Sequence, residues 1–258
     1  MNKQVKSDGT VGKALQVLDL VAEVGRPVRF SELLEKSAHP KATLYRFMQT
    51  LTNQGMLNYD PSTQTYTPGL RLVRLAHAAW RSTSLAPIAR PIIDRLAEET
   101  GETVHLAQMD GGQVLYVDKR NAAAPVEMFS SAGKIEPGYC TGVGKAIMAH
   151  LTPKEQDRAI SQQAFLRYTD NTLTSAQDLR IDLGEIRENG IAFDREEHEP
   201  GIICIAAPIL TSGRAIGGLS ITSTTQRHSL KTLEDFKPLV VGAAAEIGAT
   251  AASWQFPS

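Results

Sequence analysis

The stretch HPKATLYRFMQTLTNQGMLNYD, residues 39–60, decides the fold. Leu44, Phe47, Met48 and Leu51 fall at i, i+3, i+4 and i+7, which predicts a helix with one buried stripe. Pro40 suits the first helical position, where its missing N–H is not needed, and Gly55 ends the helix. Off the stripe stand Lys41, Thr43, Tyr45, Arg46 and Gln49, a polar set that packing alone does not require. Beyond the glycine, Met56–Tyr59 and Gln64–Thr67 read as two short strands around an Asp60-Pro61-Ser62 turn, a β-hairpin.

Upstream, TVGKALQVLDLVAEVG (10–25) predicts a helix with Leu15, Leu18 and Val21–Ala22 on one face and Gly25 as its stop. GRPVRF (25–30) reads as a turn, and Ser31, Glu32, Leu33 and Leu34 open a second helix that closes near Ser37. Three helices followed by a hairpin is the layout of a winged helix-turn-helix, in which the third helix enters the DNA major groove with its N-terminal part toward the bases. The candidate DNA-reading residues are Lys41, Ala42, Thr43, Tyr45 and Arg46, since Lys, Arg, Thr and Tyr there bond phosphates or base edges. For an isolated helix a merely solvated polar face is the better reading, by about two to one, and it is the hairpin and the basic front that reverse this. The hairpin and the local charge favour DNA: residues 1–82 carry 11 Lys+Arg against 6 Asp+Glu, whereas residues 83–258 carry 16 against 22.

LRLVRLAHAAWRSTSL (70–85) predicts a further helix with Arg71, Arg74 and Arg81, either a linker that helps pair two chains or a solvated helix closing the first domain. ARPIIDRLAEETG (89–101) is an amphipathic helix, and TVHLAQMDGGQVLYVDKR (103–120) reads as strand, Asp-Gly-Gly turn, strand. PVEMFSSAGK (125–134) reads as a third strand, YCTGVGKAIMAHL (139–151) as a loop opening a helix, and 153–190 as helical. IAFDRE, IICIAAPIL and AIGGLSITS supply three more strands, and one long Ala-rich helix, 229–252, closes the chain. This order predicts an α+β sensor domain with an antiparallel sheet and flanking helices.

The 258 residues, 42% hydrophobic and 21% charged, fit one large or two modest globular domains. No run approaches the ~18 apolar residues that span a bilayer, so no membrane contact and a cytoplasmic location are expected. Two distant cysteines, Cys140 and Cys204, argue against a disulfide framework or a CxxC site.

HPKATLYRFMQTL, YTPGLRLVRLA, ARPIIDRLAEETGETVHLA, GVGKAIMAHL, RENGIAFDREEHEPGIICIAAPI and LSIT together resemble the IclR family of bacterial transcription regulators, from Gly12 to about Ala252. The resemblance implies a winged helix-turn-helix over 9–69, a linker helix over 70–85 and a GAF-like effector-binding domain over 86–255. It implies dimers or tetramers on double-stranded operator DNA and a small metabolite effector, read here as a small carboxylate; a repressor is the favoured role, with activation left open. Family members that bind small oxo-acids use positions that here are Gly142 and Val143 in the loop before the GKA helix, Asp194 of the GIAFD run, Cys204 of IICIAAP, and Ser220 and Thr222. Thr222 replaces a usual Ser and Val143 a smaller residue, so the ligand does not transfer. The local chemistry fits an anion: Gly142 and Gly144 permit close backbone approach, a helix N-terminus follows, and Ser220 and Thr222 share a strand face. Each also has a plainer role: Cys204 as a small buried hydrophobe, Asp194-Arg195-Glu196-Glu197 as a solvated charge run, Ser220 and Thr222 bonding within the sheet. Among oxo-acids, sugar acids and aromatic acids, a small aliphatic or sugar-derived acid is favoured.

The alternative is a small-molecule-processing enzyme with an N-terminal DNA- or partner-binding module. GYCTGVGKA fails as a Walker loop, with five residues between Gly138 and Gly144 and Ala146 after the lysine. His39, His77, His105, His150, His198 and His228 form no metal-ligand pair, and His198 with Cys204 lacks a third orienting group. No cofactor and no metal are expected.

Overall fold

The computed structural model describes residues 9–122, 128 and 130–253, which divide into two compact units with the boundary between Ser82 and Thr83. In the first unit, α1 (Gly9–Glu23), β1 (Val28–Arg29), α2 (Phe30–Lys36), α3 (Lys41–Asn53), β2 (Leu57–Asp60), β3 (Thr65–Pro68) and α4 (Leu70–Thr83) follow in order. Leu44, Phe47, Met48 and Leu51 of α3 are buried, as their spacing requires, and pack with Val17, Leu18, Val21, Leu33 and Leu57. The stripe of α1 differs from the expected one: Val17, Leu18 and Val21 are buried while Leu15 and Ala22 are exposed. α1 is apolar over more than one face, so two overlapping stripes fit a 3.6 period and only the packing partners choose between them. Pro40 does not open α3; it precedes it with φ −57° and ψ 147°, and its carbonyl accepts the N–H groups of Thr43 and Leu44, each at 2.9 Å. The ring fixes φ but leaves ψ free to be extended.

The hairpin forms one residue later than read, β2 against β3, and gains a third strand. Val28–Arg29, read as a turn, pairs antiparallel with Tyr66–Thr65, giving the order β1-β3-β2. A two-residue strand has no period that a sequence could reveal. The hairpin turn is closed by Asp60, whose Oδ1 accepts Ser62 N at 2.8 Å and whose Oδ2 accepts Thr63 Oγ1 at 3.0 Å.

The second unit holds α5 (Ala86–Thr100), β4 (Thr103–Asp110), β5 (Gln113–Arg120), β6 (Ile135–Pro137), α6 (Gly142–Ala149), α7 (Pro153–Ser161), α8 (Ala176–Asn189), β7 (Ala192–Arg195), β8 (Ile202–Thr211), β9 (Arg214–Thr224), α9 (Leu230–Leu233) and α10 (Lys237–Ser253). The strands form one antiparallel sheet of order β6-β5-β4-β9-β8-β7. Gly111 and Gly112, with φ +55° and +81°, make the tight turn between β4 and β5. α5 and α10 cover one face of the sheet and α6 the other, with α8 packed on α6. The fold class is therefore α+β, a helix-turn-helix unit with a small sheet and a six-stranded effector-type unit.

Two expected elements come out differently. The strand expected over 125–134 is not formed where it is described: residues 128 and 130–134 are outside any strand, 125–127 and 129 lie outside the described residues, and the edge strand next to β5 is instead Ile135–Pro137. The closing helix is not continuous: α9 leads through a 3-10 turn, Glu234–Phe236, into α10. Pro238 sits in the first turn of α10, where it has no N–H to continue a ladder from α9.

Candidate functional site

In the first unit, Lys41, Ala42, Tyr45 and Arg46 are exposed and Thr43 is half-buried, all in the N-terminal turns of α3. Tyr45 is not loose: Gln49 Nε2 donates to its Oη at 2.9 Å and the Phe30 ring meets it edge-on at 5.9 Å. The helix N-terminus adds partial positive charge beside Lys41. Exposed donors on a helix whose opposite face is locked into a core are what a DNA groove requires.

In the second unit, register assembles a polar row. Asp194 on β7 lies opposite Cys204 on β8, which lies opposite Thr222 on β9. Ser220, two residues from Thr222, lies opposite Ala206 on one side and His105 of β4 on the other. Above the row sits the N-terminus of α6. A Cβ on Gly142 would collide with Cys204 Sγ, so glycine lets the helix start approach the strand closely. Gly142, Val143, Asp194, Cys204, Ser220 and Thr222 thus line one cavity of about 30 Å³, room for one or two waters. Gly144 lies off the cavity wall; its hydrogen faces the Gly138 carbonyl.

The same cavity is lined by His105, Tyr116, Ser130, Glu136 and His198, none of which the sequence singled out as ligand contacts. His105 Nε2 bonds Ser130 Oγ at 2.7 Å and its Nδ1 bonds Thr222 Oγ1 at 3.1 Å. Strand parity alone put His105 on one of two faces, and only the β4–β9 pairing shows which. Burial lowers the imidazole pKa to about 3, with Lys119 adding to it, so His105 is neutral at neutral pH. Burial raises Asp194 to about 8, reinforced by Glu197. A neutral Asp194 offers an O–H donor while its Oδ1 accepts Glu197 N at 2.8 Å. Burial also pushes the Cys204 thiol well up, the wrong direction for a nucleophile. His198 stands near Glu136, with Nδ1 3.8 Å from Oε2.

The acidic run is not a solvated surface: Asp194 and Glu197 are buried, Glu196 is half-buried with its Oε1 accepting Gly201 N at 2.7 Å, and only Arg195 is exposed. Glu197 Oε1 accepts Lys145 Nζ at 2.5 Å, and Asp182 Oδ2 stands 2.9 Å from the same ammonium. Burial opposes the charge on Lys145, but the two carboxylates outweigh it and hold the pKa up. The lysine that looked like part of a phosphate loop is a fully buried ion-pair centre joining α6, α8 and the turn after β7. Among the described residues no group of three His, Cys, Asp or Glu side chains could hold a metal.

The helix-turn-helix domain of the IclR family matches residues 10–61, and the C-terminal domain of the IclR bacterial transcriptional regulators matches residues 77–249. The HTH-type transcriptional regulator BhcR of Paracoccus denitrificans is 34% identical over 236 residues, 91% of this chain and 84% of that protein. The transcriptional repressor IclR of Escherichia coli is 28% identical over 238 residues, 91% of this chain and 87% of that protein. In fold, the chain is similar to an IclR homologue from Microbacterium hydrocarbonoxydans solved with 4-hydroxybenzoate, with a TM-score of 0.82 at 21% identity over 95% of this chain and 100% of that one. An exposed polar recognition-type helix, a polar cavity in a second unit and these matches together place the chain in the IclR family of DNA-binding bacterial transcriptional regulators.

Proposed function

We propose that this regulator is a repressor that binds a pseudo-palindromic operator through Lys41, Ala42, Thr43, Tyr45 and Arg46, and that a small carboxylate in the second-unit cavity changes that affinity. The observation that carries the effector half is the in-register row Asp194–Cys204–Thr222 lying beneath the first amides of α6. The first N–H groups of a helix have no partner within it, and they favour an anion. The ligand carboxylate lies against Gly142 and Val143, Ser220 and Thr222 bond the remainder, Asp194 donates from its neutral carboxyl, and Cys204 closes the wall. Two relatives support the reading by what they are: one is a repressor, and the other was solved with a small hydroxylated carboxylate. The family is one of regulators, which removes the enzyme alternative.

The working form is a homodimer or homotetramer, because one helix-turn-helix reads one half-site. The domain plan is 9–69 for DNA, 70–85 as linker and 86–255 for the effector. Leu70 and Val73 of α4 are exposed at 85% and 64%, apolar surface that pairing of linkers would cover. No helix among the described residues is long and apolar enough to cross a membrane.

The coupling between effector and operator is expected at about 1–3 kcal/mol and acts equally in both directions. Calorimetry of small acids, repeated with operator DNA present, tests it. An acid whose affinity is the same with and without DNA would remove the regulatory link, and a light-scattering mass of one 28.0 kDa chain would remove the assembly.

A further inference from the structure

The exposed stripe of α3 continues past the residues assigned above to DNA. Gln49 and Thr50, one turn beyond Tyr45 and Arg46, both face outward. They differ in what they offer. Thr50 Oγ1 donates to the Arg46 carbonyl at 2.9 Å, which turns the hydroxyl onto its own helix. Gln49 Nε2 donates to Tyr45 Oη at 2.9 Å. A carboxamide has two N–H donors and one carbonyl acceptor. One N–H is spent on Tyr45, and the second N–H with Oε1 forms a donor–acceptor pair on an exposed side chain. Tyr45 is braced in turn by Phe30, whose ring meets it edge-on at 5.9 Å and 81° and packs against the core of the first unit. Phe30 opens α2, so the brace comes from the other helix of the helix-turn-helix. A flexible side chain is thus held by a fixed partner, and part of its ordering entropy is lost before DNA arrives.

We infer that Gln49 reads an adenine of the operator and that Tyr45 positions it for this. The inference rests on the α3 reading above and adds to it a residue and a base. In the major groove adenine presents N7 as acceptor and N6–H as donor, the complement of the Nε2–H and Oε1 pair. Guanine presents two acceptors, N7 and O6, and would set O6 against Oε1. Arg46, which has donors only, suits the guanine pattern instead. The helix rise of about 1.5 Å per residue puts Gln49 ~4.5 Å past Arg46 along the axis. Base pairs follow each other at ~3.4 Å, so the two side chains meet neighbouring pairs. Recognition helices of homeodomains use residues as far along the helix as this one.

The test is selection of bound duplexes from a randomised pool by the full chain, followed by gel shifts on the selected site. The parent is expected to require an A·T pair at one position of each half-site. The other three pairs there should bind about 5–150-fold more weakly. Gln49→Ala should accept all four pairs at that position alike and keep its preferences elsewhere. Tyr45→Phe keeps the ring against Phe30 but removes the oxygen that Gln49 bonds, and should lose part of the discrimination. Replacing that adenine by its deaza analogue, which lacks the N7 acceptor, should weaken the parent and leave Gln49→Ala unaffected. A Gln49→Ala protein with the parent's preference at every position overturns the inference, and so does a lost preference for any pair other than A·T. Either result leaves the α3 reading standing where Arg46→Ala still weakens binding to the selected site. A parent that binds the deaza duplex as tightly as the adenine one overturns the base contact. Full discrimination in Tyr45→Phe overturns the positioning role. A parent that selects no sequence at all overturns the operator reading together with the inference.

Discussion

The two polar surfaces of this chain are built by opposite means. The polar face of α3 lies exposed on one continuous segment, and its residues need only the helix and the core stripe behind it. The polar wall of the cavity is buried and draws on β4, β5, β6, β7, β8, β9 and the start of α6, residues separated by more than 100 positions. A surface that meets a polyanion keeps its groups hydrated until contact. A cavity that selects a small molecule must desolvate its groups in advance, so each needs a partner or a shifted pKa.

Substitutions should separate the two sharply. The largest effect is expected at Lys145, 0% exposed between Glu197 and Asp182. Lys145→Met leaves the buried Glu197 without its cation and Asp182 with Arg195 alone, 3.5 Å away, and should cost about 3–5 kcal/mol in urea unfolding of the second unit. A loss below about 1 kcal/mol would mean that the ion triad is solvated rather than structural. Next comes Arg46→Ala on α3, expected to weaken specific operator binding by about 1–3 kcal/mol. Its effect on folding should stay within about 0.5 kcal/mol, as for surface positions generally. Equal gel-shift affinity for parent and variant would show that the exposed face is not the reading face. The steep fall of affinity with salt should also flatten in the variant, because a phosphate or base contact is gone.

A smaller, pH-dependent difference is confined to the cavity. The native Asp194 pKa of about 8 stands above its ordinary 3.8, so the folded state holds a proton that the unfolded chain releases. Its contribution to stability is complete below about pH 4 and declines as the pH rises toward about 8. Asp194→Asn should remove that decline. His105 runs the other way: with a native pKa of about 3 against an ordinary 6.5, its contribution is present above about pH 6.5 and is lost as the pH falls toward 3. Urea midpoints of the parent and Asp194→Asn at several pH values decide this. Parallel curves would mean that Asp194 is ionised in the native cavity. The substitutions with the smallest expected effect are Leu70→Ala and Val73→Ala in α4. Both side chains are exposed, so loss of monomer stability should be slight, while a weakened dimer in light scattering would mark the pairing face.

Legibility followed sequence distance. The α3 stripe and its exposed residues were readable because i, i+3, i+4 neighbours settle which side of a helix is buried. The row of Asp194, Cys204, Ser220 and Thr222 was reached only through family motifs, since nothing local ties residue 194 to residue 222. His105, Tyr116 and Glu136 were missed, because alternation along a strand gives two faces and not which of them meets a cavity. The exposed Leu15 and the broken closing helix show the same limit: where two helical stripes fit, or where a helix has room to restart, the neighbours decide.

The sequence by itself determined what short-range stereochemistry controls: the helices and hairpins, the stop at Gly55, the Gly111-Gly112 turn, and the excess of basic charge in the first 82 residues. Tertiary structure alone decided which side chains are dehydrated together. Strand register set Asp194 against Cys204 and Thr222, and Glu136 beside Tyr116. Helix packing on the sheet drew Lys145 into contact with Glu197 and Asp182. Protonation, partner choice and ligand chemistry all depend on the loss of water, and a buried environment exists only once distant segments close over it.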